Sequence, residues 1–292
     1  EHNLSVTGGT EKIDYYTSAN FMRQEGLSRQ AEDVLKRYTL TAKINATLAP
    51  WARINLSTRF IRKDYDRPRG LSGALFDNLT MNFWPIHPFR DPNGYIYGLG
   101  PEVQRIALGG YNRSQNDDIY MQGALVLEPI KGWATHFEAN YRINNTESRE
   151  EGLPFYNHDV AGNPTGGYDR NSYVSKSHVR TNYVNLNAYT EYARSFGDHN
   201  GKIMAGFQTE GLRQETDGYT AYGLVSTDYP WGDLTTNTDY NGNSKYPTVK
   251  GNFNRWVTAG FFGRLNYDFR GTYLAEVNLR YDGTSRFLRN DR

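Results

Sequence analysis

From Arg37 to Leu48 the side chains alternate with a period of two. Tyr38, Leu40, Ala42, Ile44, Ala46 and Leu48 occupy the even positions, and Arg37, Thr39, Thr41, Lys43, Asn45 and Thr47 the odd ones. Successive side chains of a pleated strand point to opposite faces, so this stretch has one apolar and one polar face. The same period places Ile13, Tyr15, Thr17, Ala19 and Phe21 together, then Ala52, Ile54, Leu56, Thr58 and Phe60, and near the end Tyr273, Ala275, Val277, Leu279 and Tyr281. It predicts ten strands, at 2–8, 12–24, 37–48, 51–63, 118–128, 133–144, 177–194, 201–213, 255–269 and 272–282. Their mean length of about 12 residues is twice that of strands in globular sheets, which disfavours an ordinary sandwich.

The connections alternate too. They run to about 3, 12, 2, 54, 4, 32, 6, 41 and 2 residues, so that every second one is a tight turn such as Ala49-Pro50 or Arg270-Gly271. In a meander this collects all tight turns at one end and all long loops at the other. Outer-membrane β-barrels have that asymmetry, with short periplasmic turns and long extracellular loops. The apolar parity would face lipid and the polar parity the lumen. Leu40, Ile44, Ile54, Leu56, Val277 and Leu279 are therefore expected outward, and Lys43, Arg53, Arg59, Glu276 and Arg280 inward. Trp133 and Tyr141, like Tyr273 and Tyr281, share a parity eight residues apart. On a tilted strand that spacing reaches roughly 20 Å, close to the distance between the aromatic girdles that flank the apolar band. A soluble lipocalin-like barrel would instead turn its apolar side chains inward.

Composition sharpens this picture. Hydrophobic residues make up only 37%, which would suit disorder, yet aromatics reach 14%, which does not. A net charge of +1 without a basic run gives no footprint for a polyanion, so no nucleic-acid partner is expected. The absence of cysteine rules out disulfides, cysteine-ligated zinc and thiol catalysis. No apolar run is long enough for a membrane-spanning helix, which leaves spanning strands as the route through a bilayer.

The long loops hold the candidate chemistry. Asp91-Pro92-Asn93-Gly94 is a turn signal, and Leu71, Ala74, Leu75 and Leu79 fall at helical spacing, predicting a short helix over 71–83. Trp84, Phe89, Tyr95, Tyr229, Trp231 and Tyr240 are the loop aromatics chosen as substrate-binding candidates. Flat rings beside Asn and Asp suit the apolar faces and hydroxyl edges of an oligosaccharide, or the side chains of a peptide. For any one ring, packing the loops together is the favoured role. The six histidines form no ligand spacing, and no nucleophile elbow, phosphate-binding loop or dinucleotide fingerprint occurs. Asp239-Tyr240-Asn241-Gly242-Asn243 has the look of a calcium loop but places Gly fourth and lacks the closing Glu, so it reads as a turn. No enzyme, cofactor or metal is expected.

Several local strings resemble one family. Asp14-Tyr15-Tyr16-Thr17-Ser18-Ala19 leading to Arg23-Gln24-Glu25-Gly26, and Arg37-Tyr38-Thr39 through Leu48-Ala49-Pro50-Trp51, are similar to early barrel hairpins of SusC-like (SusC/RagA) TonB-dependent transporters. Gly260-Phe261-Phe262-Gly263-Arg264-Leu265-Asn266-Tyr267 and Leu279-Arg280-Tyr281-Asp282-Gly283-Thr284-Ser285-Arg286-Phe287 resemble two later strands and are the most specific match. The resemblance implies an all-β transmembrane antiparallel β-barrel of the bacterial outer membrane, partial here: ten strands of about 22. It further implies a plug, a TonB box, a SusD-like surface lipoprotein, energy from TonB-ExbB-ExbD, and import of oligosaccharide or peptide cargo. Residues 1–292 carry neither plug nor TonB box and are expected to be a partial barrel domain of a longer protein, open at both edges. The alternative from another class is a soluble β-rich carbohydrate-binding protein.

Overall fold

A computed structural model of the chain describes residues 1–71, 75, 77, 86, 88–96, 101–167 and 169–287. It contains one antiparallel sheet with ten strands in sequence order. They are β1 (His2–Gly9), β2 (Ile13–Glu25), β3 (Val34–Ala49), β4 (Ala52–Pro68), β5 (Tyr111–Ile130), β6 (Trp133–Gly152), β7 (Tyr173–Phe196), β8 (His199–Tyr222), β9 (Thr248–Phe269) and β10 (Tyr273–Thr284). Among the described residues β1 pairs only with β2 and β10 only with β9, so the sheet is open rather than a closed ten-stranded barrel.

Every expected strand is present, and the strands beside the long loops run further than the alternation does. β8 continues past 213 to Tyr222, and its partner β9 begins at Thr248 rather than 255. The physical reason is in the composition of Gln214-Glu215-Thr216-Asp217-Gly218-Tyr219-Thr220, polar on both parities. Beyond a hydrocarbon layer both faces of a hairpin meet water, so the period-two signal fades while the hydrogen-bonded ladder goes on. The helix expected over 71–83 falls mostly outside the described residues; Leu75 and Asp77 within it are helical. A helix the pattern does not single out, α1 (Pro101–Leu108), starts on a proline, which suits the first helical position, and buries Val103 and Ile106.

The registers carry the two parities around the sheet without a slip between the strand centres. On one face Ile44 lies opposite Leu56, Leu56 opposite Gly123, Gly123 opposite Ala139 and Ala139 opposite Leu186. On the other, Lys43, Ser57, Gln122, Asn140, Asn185 and Glu210 are successive partners. Arg53, Arg59, Glu276 and Arg280 share this polar face, and Leu40, Ile54, Val277 and Leu279 the apolar one. A cavity of about 780 Å³ is lined mainly by polar-face residues from β2 to β8, including Ser18, Lys43, Arg59, Gln122 and Arg142, so the polar face is the concave side. Its side chains satisfy one another: Arg142 grips Asp118 through two bonds of 2.7–2.8 Å, and Tyr183 donates to Glu210 at 2.5 Å.

The apolar face is uncovered, with Phe261 64% and Leu279 73% exposed. A continuous apolar surface of this size is what lipid, rather than water, covers. Trp133, Tyr192, Tyr267 and Tyr273 stand on that face beside the tight turns, while Phe21, Tyr38 and Tyr141 stand towards the long loops. These are the two aromatic levels expected from the spacing. Buried apolar residues gather at the long-loop end instead, around Leu75, Ile96, Val103, Ile106 and Phe155.

Candidate functional site

The three long loops, now 69–110, 153–172 and 223–247, each contain one turn of the same design. Asp91, Asp159 and Asp239 accept at their carboxylates from the backbone N–H four residues on, at 2.8–2.9 Å. Their carbonyls accept from Gly94, Gly162 and Gly242 at 2.9–3.1 Å. Those glycines have φ of +89°, +84° and +83°, the left-handed region a side chain rarely tolerates. The Asp239 segment is thus a turn held by its own carboxylate, as its spacing suggests. Hydrogen bonds from Asn163 hold the Asp159 carboxyl below the usual range, and those from Asn243 do the same for Asp239.

These turns dock on one another. The Tyr95 and His158 rings stack with centroids 3.6 Å apart, and Asn93 donates to the Val160 carbonyl at 3.1 Å. Tyr240 N–H donates to Asn171 at 3.1 Å, and the Arg170 guanidinium lies over the Tyr240 ring. Beneath them is an ionic node that no sequence signal marks. Arg69, just after β4, and Arg105 on α1 both donate to Asp169, the latter at 2.8 Å. Arg69 also reaches the Tyr173 hydroxyl at 2.9 Å, which donates to Glu150 at 2.5 Å. Burial pulls the Asp169 carboxyl upward, but Arg105 and Arg69 outweigh it and hold it below the usual range. Gln104, 1% exposed, ties α1 to Ile96 and Asn157 at 3.0 Å each.

Of the six candidate rings, Trp84 lies outside the described residues. Tyr95 and Tyr240 serve the loop packing just described. Trp231 is half-exposed under the Arg149 guanidinium, 4.7 Å from its ring centre. Tyr229, 65% exposed, is the most open of the described five. Phe89 lines an apolar cavity of about 510 Å³ with Leu27, Leu71, Val103 and Ile106. The end of the sheet therefore offers rings, guanidiniums and amides on a braced platform, an arrangement fit for recognition. Among the described residues no group of three or more His, Asp or Glu is placed to hold a metal ion.

No protein-family profile matches the chain. It is 22% identical over 300 residues to TonB-dependent receptor P3 of Formosa agariphila, covering 99% of this chain and 28% of that protein. It is 23% identical over 324 residues to TonB-dependent receptor SusC of Bacteroides thetaiotaomicron, covering 100% and 30%. The chain thus spans less than a third of the length of these curated relatives. The fold is similar to the RagAB peptide transporter, with TM-score 0.78 at 20% identity over 99% of this chain and 32% of that one. It is less similar to the P. aeruginosa receptor FpvA, with TM-score 0.56 at 14% identity over 97% and 35%.

Proposed function

We propose that this chain, which matches the barrel portion of SusC/RagA-like TonB-dependent receptors, is part of the wall and mouth of an energised outer-membrane importer of oligosaccharides or peptides. The observation that carries the reading is the two-faced sheet: an uncovered apolar face for lipid, a hydrogen-bonded polar face for a lumen, and long loops interlocked at one end. Cargo is captured by the loops under a SusD-like surface lipoprotein and released inward when TonB-ExbB-ExbD pulls on a plug supplied by the rest of the protein. The route contains no covalent step on the cargo. RagAB, whose fold this chain resembles, is a peptide transporter, which supports the peptide branch, while rings beside amides also suit a glycan. The soluble carbohydrate-binding alternative has to leave Leu40, Leu56, Phe261 and Leu279 in water, which an exposed apolar face of this extent opposes.

The test is cargo binding by the full-length receptor with its lipoprotein partner. Ring stacking on a nucleobase contributes about 1–3 kcal/mol, and the same scale serves for a sugar ring. Replacing Trp84 and Trp231 together with Ala is expected to weaken capture at least tenfold while the barrel assembles normally. Unchanged capture in an assembled double variant would return both rings to loop packing.

A further inference from the structure

On the outward face the last row without a charged or amide side chain is Tyr141, Val184, Gly211 and Val257, which are successive cross-strand partners on β6 to β9. The next row towards the long loops is Ile143, Asn182, Arg213 and Arg255. Arg213 and Arg255 are thus direct antiparallel partners on the same face, and both are exposed. Arg180, also exposed, stands on this face two residues along β7 from Asn182. Like charges set side by side on a sheet repel, so such a pair is expected where an anion sits between them. Glu215, the direct cross-strand partner of Arg180, takes up part of Arg213, accepting from its Nε at 3.1 Å and from a terminal NH₂, the Arg213 guanidinium lies over the Phe253 ring, and Asp217 stands one outward position further from the apolar rows. Among the described residues no hydrogen bond, ion pair or ring reaches the guanidinium of Arg180 or Arg255.

The surface below the pair is a notch. A Cβ built on Gly211 would meet Val257 at 3.4 Å and Val184 at 3.9 Å, so the missing side chain leaves a depression between two valines. The row beneath continues it with Thr209 and Ala259 before Phe207 and Phe261 close it. Paired guanidiniums at the top of an apolar groove, on the face that lipid covers, match an anionic headgroup above an acyl chain. Arginine suits the ligand, since its fork donates two hydrogen bonds to one phosphate.

We propose that Arg213 and Arg255, assisted by Arg180, hold the phosphate of an outer-leaflet lipid at the edge of the hydrocarbon layer, with an acyl chain lying over Gly211. The proposal rests on the reading of the apolar face as lipid-facing. The test uses the full-length receptor purified in detergent and titrated with diphosphoryl lipid A or with phosphatidylcholine, bound lipid being counted by native mass spectrometry. Expected are a preference for lipid A in the wild type and at least a tenfold loss of that binding in Arg213→Gln/Arg255→Gln, with phosphatidylcholine adducts unchanged. Arg213→Lys/Arg255→Lys, which keeps the charges, retains binding within about threefold. Glu215→Gln frees Arg213 and strengthens it. Heat-modifiable gel migration checks that each variant is assembled. Equal lipid A binding by the assembled glutamine variant would overturn the proposal, as would a thermal shift from inorganic phosphate matching that from lipid A. A receptor that stays monodisperse without detergent would instead overturn the membrane reading beneath it.

Discussion

Replacing Asp169 with Asn removes the charge that holds three loop segments together. Arg69, Arg105 and Asp169 have side chains 13%, 29% and 26% exposed, so the node is only partly screened by water. A hydrogen bond to a charged group contributes about 1.5–3 kcal/mol and a neutral one about 1. Arg69 and Arg105 both donate to Oδ2, so Asn offers them a neutral amide oxygen in its place, and its NH₂ faces Arg105 where Oδ1 accepted at 3.5 Å. Each of the two bonds falls from about 1.5–3 to about 1 kcal/mol and the NH₂ opposes Arg105, so after halving for partial exposure the loss in loop docking is about 1–2 kcal/mol. At about 1.4 kcal/mol per factor of ten, the undocked population rises about 5- to 30-fold. Hydrogen exchange of the full-length receptor in detergent reads this directly. Leu153 N–H donates to the Gly109 carbonyl at 3.1 Å, joining the first long loop to the second, and Phe155 N–H donates to the Asp169 carbonyl at 3.1 Å within the second, at the anchor residue itself. Their protection should fall by that factor, whereas Asp159→Asn, which loosens one turn, should leave Leu153 unchanged. Protection of Leu153 and Phe155 within threefold of wild type would refute the account of Asp169 as the shared anchor.

Acidification should reproduce the same opening. Because the Asp169 carboxyl is held below its ordinary value, its contribution to docking is complete above about pH 4 and disappears as pH falls through the lower folded value, so a loss of protection centred above pH 5 would contradict it. Leu56→Arg puts a charge on the lipid face and is expected to cost about 2–4 kcal/mol, visible as lost assembly on heat-modifiability gels, while Ser57→Arg on the lumen face assembles normally. Gly242→Ala meets no atom within 4 Å, so its cost is backbone strain alone at φ +83°, about 1–2 kcal/mol, read as faster exchange at the Asn243 amide.

What the sequence by itself determined is the part of the molecule governed by a local period. Leu40, Ile44, Leu56 and Leu279 against Lys43, Arg59 and Glu276 assign the faces strand by strand, because a strand's side chains alternate whatever its neighbours are. Tight turns such as Arg270-Gly271 then force antiparallel neighbours, and loop length sorts the two ends. The turns at Asp91 and Asp239 were legible too, since each satisfies its own backbone, whereas the matching turn at Asp159 emerged only in the structure. Only the tertiary structure decided where the ladders end, since β8 from Gln214 to Tyr222 is polar on both faces and stays extended by pairing with β9. It alone brought Asp169 to Arg69, Tyr95 to His158, Trp231 to Arg149 and Arg213 beside Arg255. In so polar a chain many carboxylates and rings could answer a given arginine. Which one does depends on segments up to about a hundred residues apart meeting above the sheet, and no local period encodes that meeting.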